Sequence, residues 1–115
     1  MITVFHNTKC SKSRECLLFL EQSGQPYEIV EYLKQPPTAE ELQLLIQKLG
    51  IKPIELVRRK ESVWKDNFEG KTLRNAQIIR AMVKYPILIE RPIVIKGNKA
   101  VIARPLERAI TVMED

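Results

Sequence analysis

His6-Asn7-Thr8-Lys9-Cys10-Ser11-Lys12-Ser13-Arg14 lies between two short apolar runs, residues 2–5 and 16–20. The first run is short and bounded, as a buried strand is. The second belongs to a helix-length segment over residues 12–23. In it Cys16, Phe19, Leu20 and Ser23 keep the i, i+3, i+4, i+7 spacing of one face, and Gly24 stands where a C′ glycine belongs. A strand, a tight loop and a helix N-terminus therefore meet at Cys10. The unpaired N–H groups and partial positive charge of a helix start favour thiolate over thiol.

Working outward, residues 27–33 alternate in part and read as a second strand, parallel to the first through a right-handed crossover. Pro36-Pro37 then breaks the chain. Thr38-Ala39-Glu40-Glu41 has the form of a capping box, followed by an amphipathic stripe of Leu42, Leu45, Ile46 and Leu49 that Gly50 ends. Pro53 opens a short helical turn through Val57. Residues 58–74, polar with one Trp and one Phe, are expected to be irregular, and a helix is expected over 75–84, closed by Pro86.

After Pro92, Ile93-Val94-Ile95 reads as a short buried strand, Gly97-Asn98 as a turn and residues 100–103 as its antiparallel partner. Pro105 opens a last helix with Leu106, Ala109, Ile110 and Met113 on one face. The order is strand–helix–strand, a helical insertion over about 38–85, then strand–strand–helix. It predicts an α/β fold with a mixed four-stranded sheet flanked by helices, in a single domain over residues 1–115.

The bulk properties fit that size. The chain has 115 residues, 44% hydrophobic and 29% charged, an ordinary globular profile. The N-terminus does not read as a secretory signal and no apolar run approaches a membrane span. A cytoplasmic location with reduced thiols is the expectation. The net charge of +5 is spread along the chain rather than gathered in a block, and aromatics make up only 6%. Nucleic acid is therefore disfavoured as a partner; a small oxyanion or an acidic protein fits better.

Cys10 and Cys16 are six apart. On a helix that separation rises roughly 9 Å and turns about 600°, beyond the roughly 7 Å that a disulfide spans. Two cysteines and one histidine also fall short of a four-ligand zinc set, so no metal site is expected at His6 and Cys10. Cys16, on the apolar stripe, reads as a small buried hydrophobe. Cys10 is set among Lys9, Lys12 and Arg14 at a helix start, where cations are ordinarily unfavourable. Either an anion sits there, the thiolate or a bound oxyanion, or the cations face water.

Three further arginines stand at breaks in structure: Arg58 after the Pro53 turn, Arg91 before Pro92 and Arg104 before Pro105. A guanidinium binds two oxygens of a tetrahedral oxyanion at once and keeps its charge. Spacing alone does not show whether they converge.

These stretches, together with Tyr32-Leu33-x-x-Pro36-Pro37, Leu56-Val57-Arg58, Tyr85-Pro86-Ile87-Leu88-Ile89-Glu90-Arg91-Pro92-Ile93-Val94 and Ala103-Arg104-Pro105, closely resemble the glutaredoxin-linked arsenate reductase (ArsC) family in its short form. The resemblance runs nearly end to end; the one departure within the loop is Thr8, where many members have proline. It implies a thioredoxin-like fold with a helical block between the second and third strands. It also implies arsenate reduction with Cys10 as nucleophile, His6 influencing the thiolate, and Ser13 hydrogen-bonding near the sulfur. Arg58, Arg91 and Arg104 would hold the oxyanion, and Pro92 would take the cis-proline position.

With Ser13 rather than a second thiol three residues after Cys10, the reductant must come from outside. The resemblance implies glutathione as co-substrate and glutaredoxin as recycling partner, with no bound cofactor. Two alternatives accompany it. One is a monothiol oxidoreductase acting on glutathione mixed disulfides. The other is an RNA-polymerase-binding regulator of the Spx type, whose Cys-x-x-Cys switch here reads Cys10-Ser11-Lys12-Ser13.

Overall fold

The computed structural model describes residues 1–113. The chain divides into two compact units, one of Met1–Gln35 with the chain from Arg91 onward, the other Pro36–Glu90.

The first unit is built on β1 (Ile2–Phe5). Ile2 and Val4 are buried while Thr3 and Phe5 are half-buried, the period-2 alternation of a strand with one face on a core. Helix α1 (Ser11–Ser23) carries the chain over to β2 (Tyr27–Val30), which pairs parallel to β1 with Val4 opposite Ile29. The return strands β3 (Ile93–Lys96) and β4 (Lys99–Ile102) form a hairpin on the other side of β1, both antiparallel to their neighbours. The sheet order is β2-β1-β3-β4. Ile2, Val4 and Val94 pack with Cys16 and Leu20 from α1 and with Ala109 and Met113 from the C-terminal segment, in one buried cluster. This is the expected α/β arrangement, a mixed four-stranded sheet with helices, and it is a thioredoxin-like fold.

The strands and helix α1 lie within one residue of the expected bounds, apart from the end of β2, and the C-terminal segment differs in kind. The second strand ends at Val30, not at residue 33, because β1 stops at Phe5 and offers no further partner. The last contact is His6 N–H to Val30 O (2.9 Å), after which Glu31 O accepts from both Lys34 and Gln35 and the chain turns. Tyr32 is fully buried without being in the strand, its ring stacked 6.0 Å from that of Phe5. At the C-terminus a 3-10 turn, Leu106–Ala109, precedes a short helix, α5 (Ile110–Met113). The 3-10 turn puts Leu106 and Ala109 one turn apart, and Ala109, Val112 and Met113 then keep the i, i+3, i+4 spacing of one helical face, so Val112 is buried and Ile110, expected on the inner face, is 38% exposed.

In the second unit, α2 (Ala39–Leu49) starts with the expected capping box: Thr38 Oγ1 accepts from Glu41 N–H at 3.2 Å and Glu41 Oε1 accepts from Thr38 N–H at 3.0 Å. It ends at Gly50 with φ 66°, a left-handed conformation in which glycine carries no Cβ penalty. A 3-10 turn over Pro53–Leu56 leads to Val57, which bridges Ile89. Residues 58–74, expected to be irregular, contain a short helix, α3 (Ser62–Asn67), before α4 (Asn75–Lys84). Six residues are too few to show a helical period in the sequence. Trp64 anchors them, buried against Phe68 with ring centroids 5.2 Å apart. No helix among the described residues is long and apolar enough to cross a membrane.

Candidate active site

The register of the sheet puts the candidate residues of the first unit at one end of it. Phe5, the last residue of β1, pairs with Ile93, the first of β3, which pairs with Ile102, the last of β4. The loop after β1, the Arg91-Pro92 step before β3 and the Arg104-Pro105 step after β4 therefore leave the same edge. Ala103 N–H donates to Pro92 O at 2.9 Å, tying the two Arg-Pro steps together. Both Arg-Pro peptide bonds are cis.

The loop is organised by Asn7, which the sequence reading did not single out. Its Oδ1 accepts from Lys9 N–H (3.0 Å), its carbonyl accepts from Cys10 N–H (3.0 Å), and its own N–H donates to Ser13 Oγ (3.3 Å). Asn ahead of a turn commonly makes the first of these contacts, and that local signal was available in the sequence. Arg14 reaches back to the Thr8 carbonyl with Nη1 at 3.0 Å, and Lys12 pairs with Glu15 at 3.7 Å. Two of the loop's cations thus have partners within the protein.

Cys10 is the N-cap of α1 and is buried, with φ −98° and ψ 122°, so its sulfur stands at the head of the helix. Burial by itself pushes the thiol pKa up. Hydrogen bonds outweigh that: from the Ser13 backbone, the Ser13 side chain, the Lys12 backbone and the Arg104 side chain, they hold Cys10 below its ordinary value. Arg104 Nη2 lies 3.5 Å from the sulfur. Cys16 is fully buried on the core face of α1, and burial alone pushes its thiol up to about 11. Both cysteines are free, one poised to ionise and the other inert.

His6 is buried, and its Nδ1 has no hydrogen-bond partner. Burial lowers its pKa most; Glu31 and the Ser13 backbone act in the opposite sense, Arg14 again lowers it, and the imidazole is held below its ordinary value. Arg91 is buried at the sheet edge. Arg58 belongs to the second unit, where Nη1 pairs with Glu61 at 2.9 Å and Nε with Glu90 at 3.7 Å. Its N–H donates to Leu88 O at 2.7 Å, so backbone and side chain are both engaged. Among the described residues no group of three His, Cys, Asp or Glu could hold a metal ion.

The fold and site define a thioredoxin-like sheet in which one of two free thiols, Cys10, caps the first helix. A sequence model of the ArsC family matches residues 5–111. Arsenate reductase of Neisseria meningitidis serogroup A is 40% identical over 114 residues, covering 97% of each chain. Arsenate reductase of Haemophilus influenzae is 39% identical, covering 97% of this chain and 98% of its own. Among solved structures, arsenate reductase from Vibrio cholerae superposes with a TM-score of 0.92 at 38% identity, covering 96% of each chain. The chain belongs to the ArsC family.

Proposed function

We propose that this protein is an arsenate reductase that uses Cys10 as its nucleophile and takes its electrons from an external thiol. The observation that carries the reading is the guanidinium of Arg104 on the Cys10 sulfur at the head of α1. Its charge favours the thiolate, and a charged donor beside the sulfur supports a role in holding the oxygens of a sulfur-bound oxyanion. The arsenate reductase relatives support the choice of substrate.

In the proposed cycle the Cys10 thiolate attacks arsenic(V) and a protonated oxygen leaves as water, forming a sulfur–arsenic bond. Arg104, Arg91 and Arg58 are the groups proposed to hold the remaining oxygens, each by its guanidinium charge. A glutathione thiolate then attacks the Cys10 sulfur. The sulfur–arsenic bond breaks with its electron pair passing to arsenic, arsenite leaves, and Cys10 carries a mixed disulfide with glutathione. A second thiol, delivered by glutaredoxin, attacks that disulfide and restores Cys10. Two thiols are oxidised to one disulfide for each arsenic reduced. Ser13 and His6 serve the sulfur by hydrogen bonding and by keeping an uncharged ring beside the loop. No bound cofactor takes part, and the cytoplasm, rich in reduced thiols, is the proposed location.

The same thiolate could act on glutathione mixed disulfides instead, and the absence of a second thiol in Cys10-Ser11-Lys12-Ser13 favours that reading as the alternative. The test is turnover of arsenate beside turnover of a mixed disulfide, with glutathione and glutaredoxin present, for wild type and Cys10→Ser. Arsenate turnover lost in Cys10→Ser supports the proposal; arsenate turnover retained by that variant removes Cys10 as nucleophile.

A further inference from the structure

The second unit holds a cavity that the proposed reaction does not use. Its volume is about 580 Å³, within the range that holds small molecules. Residues of α3, of the turn after it and of α4 line it. Trp64 and Ile78, both buried, form its floor, and Phe68 and Leu73, both half-buried, form its walls. The rings of Trp64 and Phe68 have centroids 5.2 Å apart, so one side of the cavity is an aromatic pair. The mouth carries Arg59, Glu69 and Lys71, all exposed. Lys71 N–H donates to Phe68 O at 3.1 Å, closing the turn that brings Glu69 and Lys71 there.

The charges at the mouth are unpaired. Arg58 is held by Glu61 and Glu90, but the side chain of its neighbour Arg59 has no ion-pair or hydrogen-bond partner among the described residues, and neither do those of Lys71 and Glu69. Two cations and one carboxylate leave a single net positive charge beside an apolar interior. A singly charged anion with an apolar body answers both. Its head balances the charge at the mouth, where a guanidinium fork can take both oxygens of a carboxylate. Its body covers Phe68 and Leu73 and removes their apolar surface from water. A doubly charged phosphate head would exceed the positive charge on offer and meet Glu69. A small anion without a body would gain nothing from the floor.

We propose that this cavity binds a small amphipathic carboxylate, an aliphatic or aromatic acid with its head between Arg59 and Lys71 and its apolar body against Trp64, Phe68 and Leu73. Glu69 sets the selection: it tolerates one negative charge at the mouth and opposes a second. Binding here makes and breaks no covalent bond and does not depend on the chemistry at Cys10.

Trp64 is the only tryptophan in the sequence, so its emission reports this cavity. The probe is octanoate, which does not absorb where tryptophan is excited, titrated into the whole chain. A saturable change in Trp64 emission is expected with octanoate, and none with acetate over the same range. In the Arg59→Gln/Lys71→Gln double variant the Kd for octanoate is expected to rise about tenfold, the scale of two exposed ion pairs. In Glu69→Gln, which removes the opposing charge, it is expected to fall by about twofold. All three side chains are exposed, so the variants keep their core. Octan-1-ol, with the same body and no charge, is expected to bind wild type and the double variant alike. Octyl phosphate at pH 8, where its head is doubly charged, is expected to bind wild type more weakly than octanoate does. No saturable change with octanoate, an acetate response equal to that of octanoate, an octanoate affinity that the double variant leaves unchanged, or tighter binding of octyl phosphate overturns the assignment.

Discussion

Arg104 Nη2 stands 3.5 Å from Cys10 Sγ, a contact between residues 94 apart in the sequence. The sheet makes it: Cys10 follows the end of β1 and Arg104 the end of β4, at one edge. A charged donor on a sulfur favours its ionised form, and Arg104 acts with the Ser13 and Lys12 hydrogen bonds against the cost of burial. Arg104→Gln leaves a neutral donor of lower reach. The pH midpoint for alkylation of Cys10 by iodoacetamide is expected below the ordinary thiol value in wild type and higher in Arg104→Gln. Coincident midpoints would remove Arg104 from control of the thiol.

His6 is the sole histidine, so its ring proton resonance reports it without overlap. Its midpoint is expected below 6.5, because burial disfavours the charged ring. With the folded value depressed, the unfolded chain takes up the proton first as pH falls. Stability is therefore lost as pH drops from 6.5 through the folded midpoint and is level below it. Glu31→Gln removes a partner that favours the charged ring and should lower the midpoint further. A midpoint at or above 6.5 in wild type would show that the ring is not desolvated.

Cys16 gives a stability prediction at the other end of the scale. Its thiol is moved from the ordinary 9.0 to about 11 by burial, so above pH 9 the unfolded chain ionises while the folded one does not. Stability falls as pH rises from 9 toward 11, by a total on the order of 3 kcal/mol. In a Cys10→Ser background, which removes the other thiol, Cys16→Ala is expected to cost about 1 kcal/mol at pH 7 for the lost packing. The cost should shrink and reverse at alkaline pH. Urea unfolding at pH 7 and pH 10.5 measures the two; a constant difference would mean that Cys16 ionises equally in both states.

How far these features could be read from the sequence depends on whether their signal is local. The β1–loop–α1 unit was legible because Ile2, Val4, Cys16 and Leu20 carry the periods of a strand and a helix, and Gly24 ends the latter at φ 73°. Residues 31–33 were not, since the end of β2 is set by the length of its partner, not by its own side chains. Helix α3 was hidden because one buried Trp carries it, and in the last segment the change from a 3-10 turn to an α-helix after Ala109 put Val112, not Ile110, on the inner face. In the site, the Arg-Pro steps were visible as motifs, but their meeting through Ala103 and Pro92 is a property of the hairpin register. The cations of the loop were visible too. That Arg104, rather than Arg14, donates its side chain to the sulfur required the fold.

The capping box at Thr38 is an exposed feature whose worth can be read without touching the site. Thr38 Oγ1 satisfies the Glu41 N–H, one of the donors that the first turn of α2 leaves unpaired. Thr38→Ala is expected to lower stability by about 1 kcal/mol, and Thr38→Ser to retain most of it. Chemical denaturation of the three proteins is the measurement; equal losses for Ala and Ser would point to the methyl group instead of the cap.

Arg58 separates the two proposed substrates. Its guanidinium is already ordered by Glu61 at 2.9 Å and Glu90 at 3.7 Å, which holds its rotamer and leaves further N–H groups to donate. If it carries oxyanion charge, Arg58→Ala removes an interaction that strengthens as the adduct forms, and kcat/KM for arsenate should fall by about 100-fold or more. A glutathione mixed disulfide presents no tetrahedral oxyanion, so its cleavage should change little. Loss of the two partly exposed ion pairs should cost stability about 1 kcal/mol or less, too little to unfold the protein at assay temperature. Arg58→Lys keeps the charge but not the planar fork, and should recover part of the arsenate activity only. Parallel losses on both substrates would mean that Arg58 supports the structure, and no loss on either would remove it from the reaction.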